Sequence, residues 1–310
     1  MNLLYGMNYA IFAVFFMLFI LEIGIALGFL FAYKKKDQMK RYLMPIWEVT
    51  GTFAVFYLVN FETTYPTAIS LVGNIYIAPL LIAAIFFIFR NAFIAYSEYV
   101  GNITSEKTYL RIYSVATIIT AFLVISVLSS GISGFGVNVT YATSNFLTLL
   151  FNPFNILIFV SVLLFAIFAV SVFFEIESMK RIGFLCAFLG ILITAFALYS
   201  YTYYAIKNEV FLWHSLVILF VLLISTMYMS IRKQKLAKYV ALAWLFDAIT
   251  YFGTLVYPFW FGTKTSPDNY LVNSVTGHYA ALATAFGGLF LLIALAYFLY
   301  IIYVKKGKKY

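Results

Sequence analysis

The chain has 310 residues, of which 65% are hydrophobic, 21% aromatic and only 10% charged, with a formal net charge of +9. A soluble domain carries about 25% charged residues, so a soluble enzyme is excluded. A membrane helix takes about 20 apolar residues, so nine spans would use about 180 residues and leave loops with no room for a separate catalytic head.

Apolar blocks run from 8 to 32, 43 to 61, 70 to 95, 109 to 130, 154 to 175, 182 to 203, 211 to 231, 239 to 260 and 280 to 304. They predict nine transmembrane helices in a single polytopic domain, 1–310, with the termini on opposite sides. The first cation is Lys34, so the first block lacks the basic flank of a secretory signal and is expected to stay in the mature protein. With the N-terminus outside and the C-terminus cytoplasmic, one face collects Lys34, Lys35, Lys36, Lys40, Arg41, Lys107, Arg111, Lys180, Arg181, Arg232, Lys233, Lys235, Lys238, Lys305, Lys306, Lys308 and Lys309. The other face keeps Lys207 and Lys264, and Arg90 falls within a span. Seventeen cations against two is the asymmetry that orients membrane proteins, so the basic balance reads as topology and not as nucleic-acid binding. Tyrosines cluster at block ends, where their rings suit the headgroup level. The longer outer connections, 131 to 153 and 261 to 279, are too short to be domains. Asn138 lies in a glycosylation sequon expected outside, and Asn102 in one expected inside. The single cysteine, Cys186, has no partner for a disulfide and no metal spacing.

Ionisable groups inside a bilayer cost about 2.5–3.5 kcal/mol each on insertion scales, so each one is a functional candidate. Glu22 lies about ten residues from the inner end of the first block, roughly 15 Å deep, and Glu48 about five residues into the second, roughly 8 Å deep. The expected arrangement is a stair from the cytoplasmic face, Glu48 then Glu22, forming a proton half-channel. A relay needs groups that alternate between charged and neutral, which a low-dielectric setting favours. Either acid could equally be held for packing alone. Arg90 is expected at the depth of Glu48, as its ion-pair partner or as a group that tunes the path. Asp247, about eight residues into the eighth block, is a third proton site or an interface residue. Glu175 and Glu177 stand beside Lys180 and Arg181 and are expected to be solvated.

His214 and His278 open the seventh and ninth blocks near the outer face. A haem between them is geometrically possible, but single histidines at helix mouths are more often interface residues. No metal spacing, phosphate loop or nucleophile elbow is present.

Three stretches together resemble subunit II of the cytochrome bd quinol oxidases. The first is Pro45-Ile46-Trp47-Glu48, then Phe61-Glu62-Thr63-Thr64-Tyr65-Pro66-Thr67, then Phe86-Phe87-Ile88-Phe89-Arg90. The second runs from Gly136-Val137-Asn138-Val139 to Phe151-Asn152-Pro153-Phe154, and the third is Tyr257-Pro258-Phe259 with the polar loop before the last block. Order and spacing match over nearly the whole chain. The first-helix acid survives as Glu22 in Ile20-Leu21-Glu22-Ile23-Gly24, and the second-helix acid as Glu48 in Trp47-Glu48-Val49-Thr50-Gly51.

The resemblance implies an all-α integral membrane protein of about nine transmembrane helices, arranged as two four-helix bundles plus one peripheral helix. It also implies a multi-pass cell-membrane subunit of a quinol:oxygen oxidoreductase that is not catalytic alone. Glu22, Glu48 and Arg90 match family positions linked to proton access or subunit stability. Haems are expected in a haem-bearing subunit I-like partner and none in this chain, with a bound quinone or lipid as a further expectation. A proton-coupled secondary transporter, or a structural subunit of another membrane cytochrome complex, would use the same acids.

Overall fold

The computed structural model describes residues 3–99, 103–138, 141–201, 209–256 and, in the last helix, 282, 286–290, 293, 294 and 297. Each of the nine apolar blocks contains helix. Helix α1 spans Leu3–Phe31 and is apolar on every side, which suits a helix surrounded by others. A 3₁₀ turn, Tyr33–Lys35, leads into α2, Lys36–Thr64. Then come α3, Pro66–Ile75, α4, Ile77–Tyr99, and α5, Ile103–Ser133. After a short hairpin and α6, Phe146–Leu150, follow α7, Pro153–Phe173, α8, Glu177–Tyr201, α9, Glu209–Ile231, and α10, Ala237–Val256. Among the described residues, six helices are long and apolar enough to cross a membrane.

Helices α1, α2, α4 and α5 form one packed group through the contacts α1 with α2, α1 with α5 and α4 with α5. Helices α7 to α10 form a second through α7 with α8, α9 with α10 and α10 with α7. Helix α1 also packs on α7 and α10, and α5 on α7, so α1 is the seam between the groups. The seam is tight at Gly24, where an added Cβ would lie 2.5 Å from the Ala166 carbonyl oxygen and 2.9 Å from Val170 Cγ2. In the last helix Gly288 lies against the Phe56 ring of α2.

Two element boundaries differ from expectation. Helix α2 starts at Lys36, seven residues before the apolar block. Its first turns are amphipathic: Met39 and Leu43 are buried, while Lys36 and Lys40 reach Glu106 on α5 and Lys40 also reaches Glu98 on α4 at 3.3 Å. The 70-to-95 block is two helices that break at Tyr76. Pro79, in the first turn of α4, has no N–H to give to the carbonyl four residues back, and that carbonyl, on Ile75, instead accepts the Ser144 hydroxyl at 2.5 Å.

The outer connection is clasped onto the bundle by amides. Asn145 caps α6 by accepting from Thr148 N, and Asn152 caps α7 by accepting from Asn155 N, with Pro153 at the first helical position, where its missing N–H costs nothing. Gly136 has φ +73° and sits so close to the Leu149 backbone that no side chain would fit. Asn155 is fully buried. Its Nδ2 donates to the Leu149 and Ser126 carbonyls at 2.5 and 3.1 Å, and its Oδ1 accepts from Ser129 Oγ at 2.6 Å. Asn155→Leu would strand buried polar groups at about 1–3 kcal/mol apiece. A thermal melt of the purified protein is expected to show a clear drop in Tm, and a wild-type Tm would contradict the clasp.

Candidate functional site

In a bundle with so few charges, the fully buried ones stand out. Glu22 on α1 and Arg90 on α4 both have no exposed surface, and Arg90 Nη1 lies 3.1 Å from Glu22 Oε2. Each is nine residues from the end of its helix, Phe31 and Tyr99, so both lie roughly 14 Å in at 1.5 Å per residue. Tyr113 of α5, also fully buried, donates its hydroxyl to Glu22 Oε1 at 3.2 Å. Arg90 stacks over Phe87 at 4.5 Å and approaches Phe19 at 5.9 Å, so the faces of the guanidinium plane meet aromatic rings while its edge meets the carboxylate.

A neutral bracket holds the arginine from the other side. Asn91 Oδ1 accepts from Trp47 Nε1 at 2.7 Å and from Arg90 Nε at 3.4 Å. Four helices, α1, α2, α4 and α5, thus meet through five side chains. The second guanidinium nitrogen, Arg90 Nη2, is buried without a hydrogen-bond partner. A charge-assisted donor left open inside a low-dielectric core is costly, and what would satisfy it is an acceptor such as a water oxygen or a carboxylate.

This arrangement corrects two expectations. Arg90 pairs with Glu22 and not with Glu48. The α2 residue turned toward Asn91 is Trp47, and the next residue, Glu48, projects about 100° further round the helix, where it is half-buried and makes no ion pair among the described residues. The expected step in depth between the two acids is also absent, since Trp47 meets Asn91 at 2.7 Å and so sets Glu48 at about the level of Arg90 and Glu22. Counted from Lys40, which meets Glu98 near the end of α4 at 3.3 Å, Glu48 stands roughly 12 Å in, close to the depth of Glu22.

Asp247 on α10 is half-buried, its Oδ2 has no hydrogen-bond partner, and it joins neither Glu22 nor Arg90. His214 lies on α9, with its side chain outside the described residues, and His278 lies wholly outside them. Glu175 is exposed, and Glu177 is exposed and bonded to Lys180 at 2.6 Å. Among the described residues no group of three His, Cys, Asp or Glu side chains converges as metal ligands. Tyr113 and Asn91 escaped the sequence reading. Neither side chain is charged at neutral pH, so neither stood out among the few ionised groups, and only the acid-to-base pairing points to them.

Between the two helix groups lies a cavity of about 390 Å³ lined by Phe12, Phe16, Tyr57, Leu128, Phe165 and others. Thr194, whose buried hydroxyl has no hydrogen-bond partner, is also on its wall.

The fold and site define a polytopic all-α membrane protein whose core is organised around one buried acid-base cluster. A family model described as cytochrome bd terminal oxidase subunit II matches residues 2–305, and the chain belongs to that family. Among solved structures it is similar to a chain of the bd oxidase from Geobacillus thermodenitrificans. That match has a TM-score of 0.77 and 21% identity, and covers 98% of this chain and 99% of that one. No curated protein sequence matches.

Proposed function

We propose that this cytochrome bd oxidase subunit II sits in the plasma membrane as the non-haem partner of a haem-bearing subunit and passes protons from the cytoplasmic side toward it. The observation that carries this reading is the Glu22–Arg90–Tyr113 cluster, the one fully buried ion pair among the described residues. In this reading Glu22 takes up the proton, Arg90 stabilises the carboxylate left when the proton moves on, and Tyr113 fixes the carboxyl orientation. Glu48 and Asp247 are further carriers. Glu48 is half-buried on α2, the least covered of the six long apolar helices. A carboxyl facing hydrocarbon is costly, so the proposed docking face of the haem-bearing subunit is α2 with the exposed apolar residues of α4, Leu81, Ile85 and Ile88. The cavity is proposed to hold one isoprenoid or acyl tail of the quinone or lipid, with the Thr194 hydroxyl as an anchor.

Purification in mild detergent tests the reading. A haem protein with quinol-dependent oxygen uptake should co-purify, and an organic extract should contain about one such tail per chain. Glu48→Gln is expected to slow turnover about tenfold or more with haem content unchanged. Proton-coupled uptake by the isolated chain in liposomes would overturn the oxidase-subunit reading, and wild-type turnover in Glu48→Gln and Asp247→Asn complexes would remove those two acids from the path.

A further inference from the structure

The turn between α9 and α10 has a composition that the proton path does not use. Within seven residues it presents Arg232, Lys233, Lys235 and Lys238 and no acid, and the first three are exposed. Lys233 takes the left-handed conformation, φ 52°, and its N–H and that of Gln234 are consumed by the carbonyls of Ser230 and Met229. The turn is therefore closed on itself, and the cationic side chains are left to point outward. None of the four is in an ion pair among the described residues. The acid within electrostatic reach of Lys233, Glu177, is already bonded to Lys180.

Apolar and aromatic groups accompany these cations. Leu236 in the turn is 58% exposed, and Ile231 at the end of α9 is 68% exposed. Arg232 lies over the Tyr228 ring at 5.6 Å and Lys238 over the Tyr239 ring at 5.1 Å, and both rings are themselves exposed. Above the turn, α9 presents Val217, Val221, Ile224 and Met227 along its outer surface. A phosphate ion alone would use the cations and ignore the apolar surface. An acyl chain alone would use the apolar surface and leave the cations without counter-charge.

From this we infer that the α9–α10 turn is a docking site for an anionic phospholipid, its phosphate among Arg232, Lys233, Lys235 and Lys238 and its acyl chains along α9. Tyrosine rings under cations at headgroup level fit the same boundary, and each basic residue near a membrane surface adds to anionic-lipid attraction.

The test uses the protein as purified with any co-purifying subunit, in nanodiscs of phosphatidylcholine with a few per cent of photo-crosslinkable phosphatidylglycerol, and maps the crosslinks by peptide mass spectrometry. Crosslinks are expected to concentrate on the peptides containing 228–239 and to fall about tenfold or more in R232Q/K233Q/K235Q/K238Q. The charge-keeping variant K233R/K235R/K238R should retain them. Inorganic phosphate at millimolar concentration should not compete. Equal labelling by a phosphatidylcholine probe, or unchanged labelling in the quadruple variant, would overturn the inference. Competition by phosphate would assign the turn to a free anion and overturn it as well. Helix content by circular dichroism shows whether the quadruple variant has folded. If it has not, the paired comparison of K34Q/K35Q with K233Q/K235Q decides the matter, since only the second pair should lose the crosslinks.

Discussion

Arg90→Leu should leave Glu22 as a lone carboxylate in the core, destabilising the bundle by about 3–5 kcal/mol, the range for removing one member of a buried pair. Little folded protein should survive detergent extraction. Glu22→Leu should do comparable damage by stranding the guanidinium. The pair has no exposed surface, and its second guanidinium nitrogen already lacks a partner, so water is poorly placed to take over from either group. Removing both charges with shape roughly kept, as in Glu22→Leu/Arg90→Met, should restore much of the folded yield, because replacing a buried ion pair by packed apolar groups is often neutral or stabilising. Yield and thermal melts of the three variants measure this directly. Equal loss in the double and single variants would mean that the pair is not the unit holding these helices.

Gly24→Val is expected to have the second large effect. Any Cβ at this position meets a backbone carbonyl of α7 at 2.5 Å, and a backbone atom cannot rotate aside. Helices α1 and α7 would have to separate, and overpacking of this kind costs about 1–3 kcal/mol or more. Since Gly24 is two residues from Glu22, the same displacement moves the acid away from Arg90 and Tyr113. The variant should therefore lower both Tm and turnover, whereas Gly73→Val on α3, at a position where an added Cβ meets nothing within 4 Å, should lower neither by a comparable amount. A Gly24→Val protein as stable as wild type would show that α1 and α7 do not pack this closely.

Hydropathy made the helical blocks legible because the chain is poor in charges, and the same scarcity drew attention to Glu22, Glu48, Arg90 and Asp247. The pairing among them was not legible. It depends on where α2 starts, and the start is hidden in a polar stretch whose Lys36 and Lys40 look like loop residues until Glu106 and Glu98 are seen opposite them. The break at Tyr76 was missed because Ile75 to Ile82 is apolar on both sides of it, although Pro79 marks the spot. The amide clasp of Asn152 and Asn155 lay within a recognisable Asn-Pro-Phe stretch, but its partners, Ser126 and Ser129, belong to a different helix and carry no sequence mark. Neutral partners such as Asn91 and Tyr113 become visible only through geometry.

In the proposed function the Glu22 carboxyl moves protons and does not only balance Arg90. Quinol-driven oxygen uptake by complexes carrying Glu22→Leu/Arg90→Met, normalised to haem content, separates these roles, because the double variant is expected to keep the fold while removing the exchangeable proton. The expected result is assembled complexes with haem present and turnover reduced about tenfold or more. Assembled complexes turning over at the wild-type rate would show that the buried pair is structural and that protons reach the partner by another route.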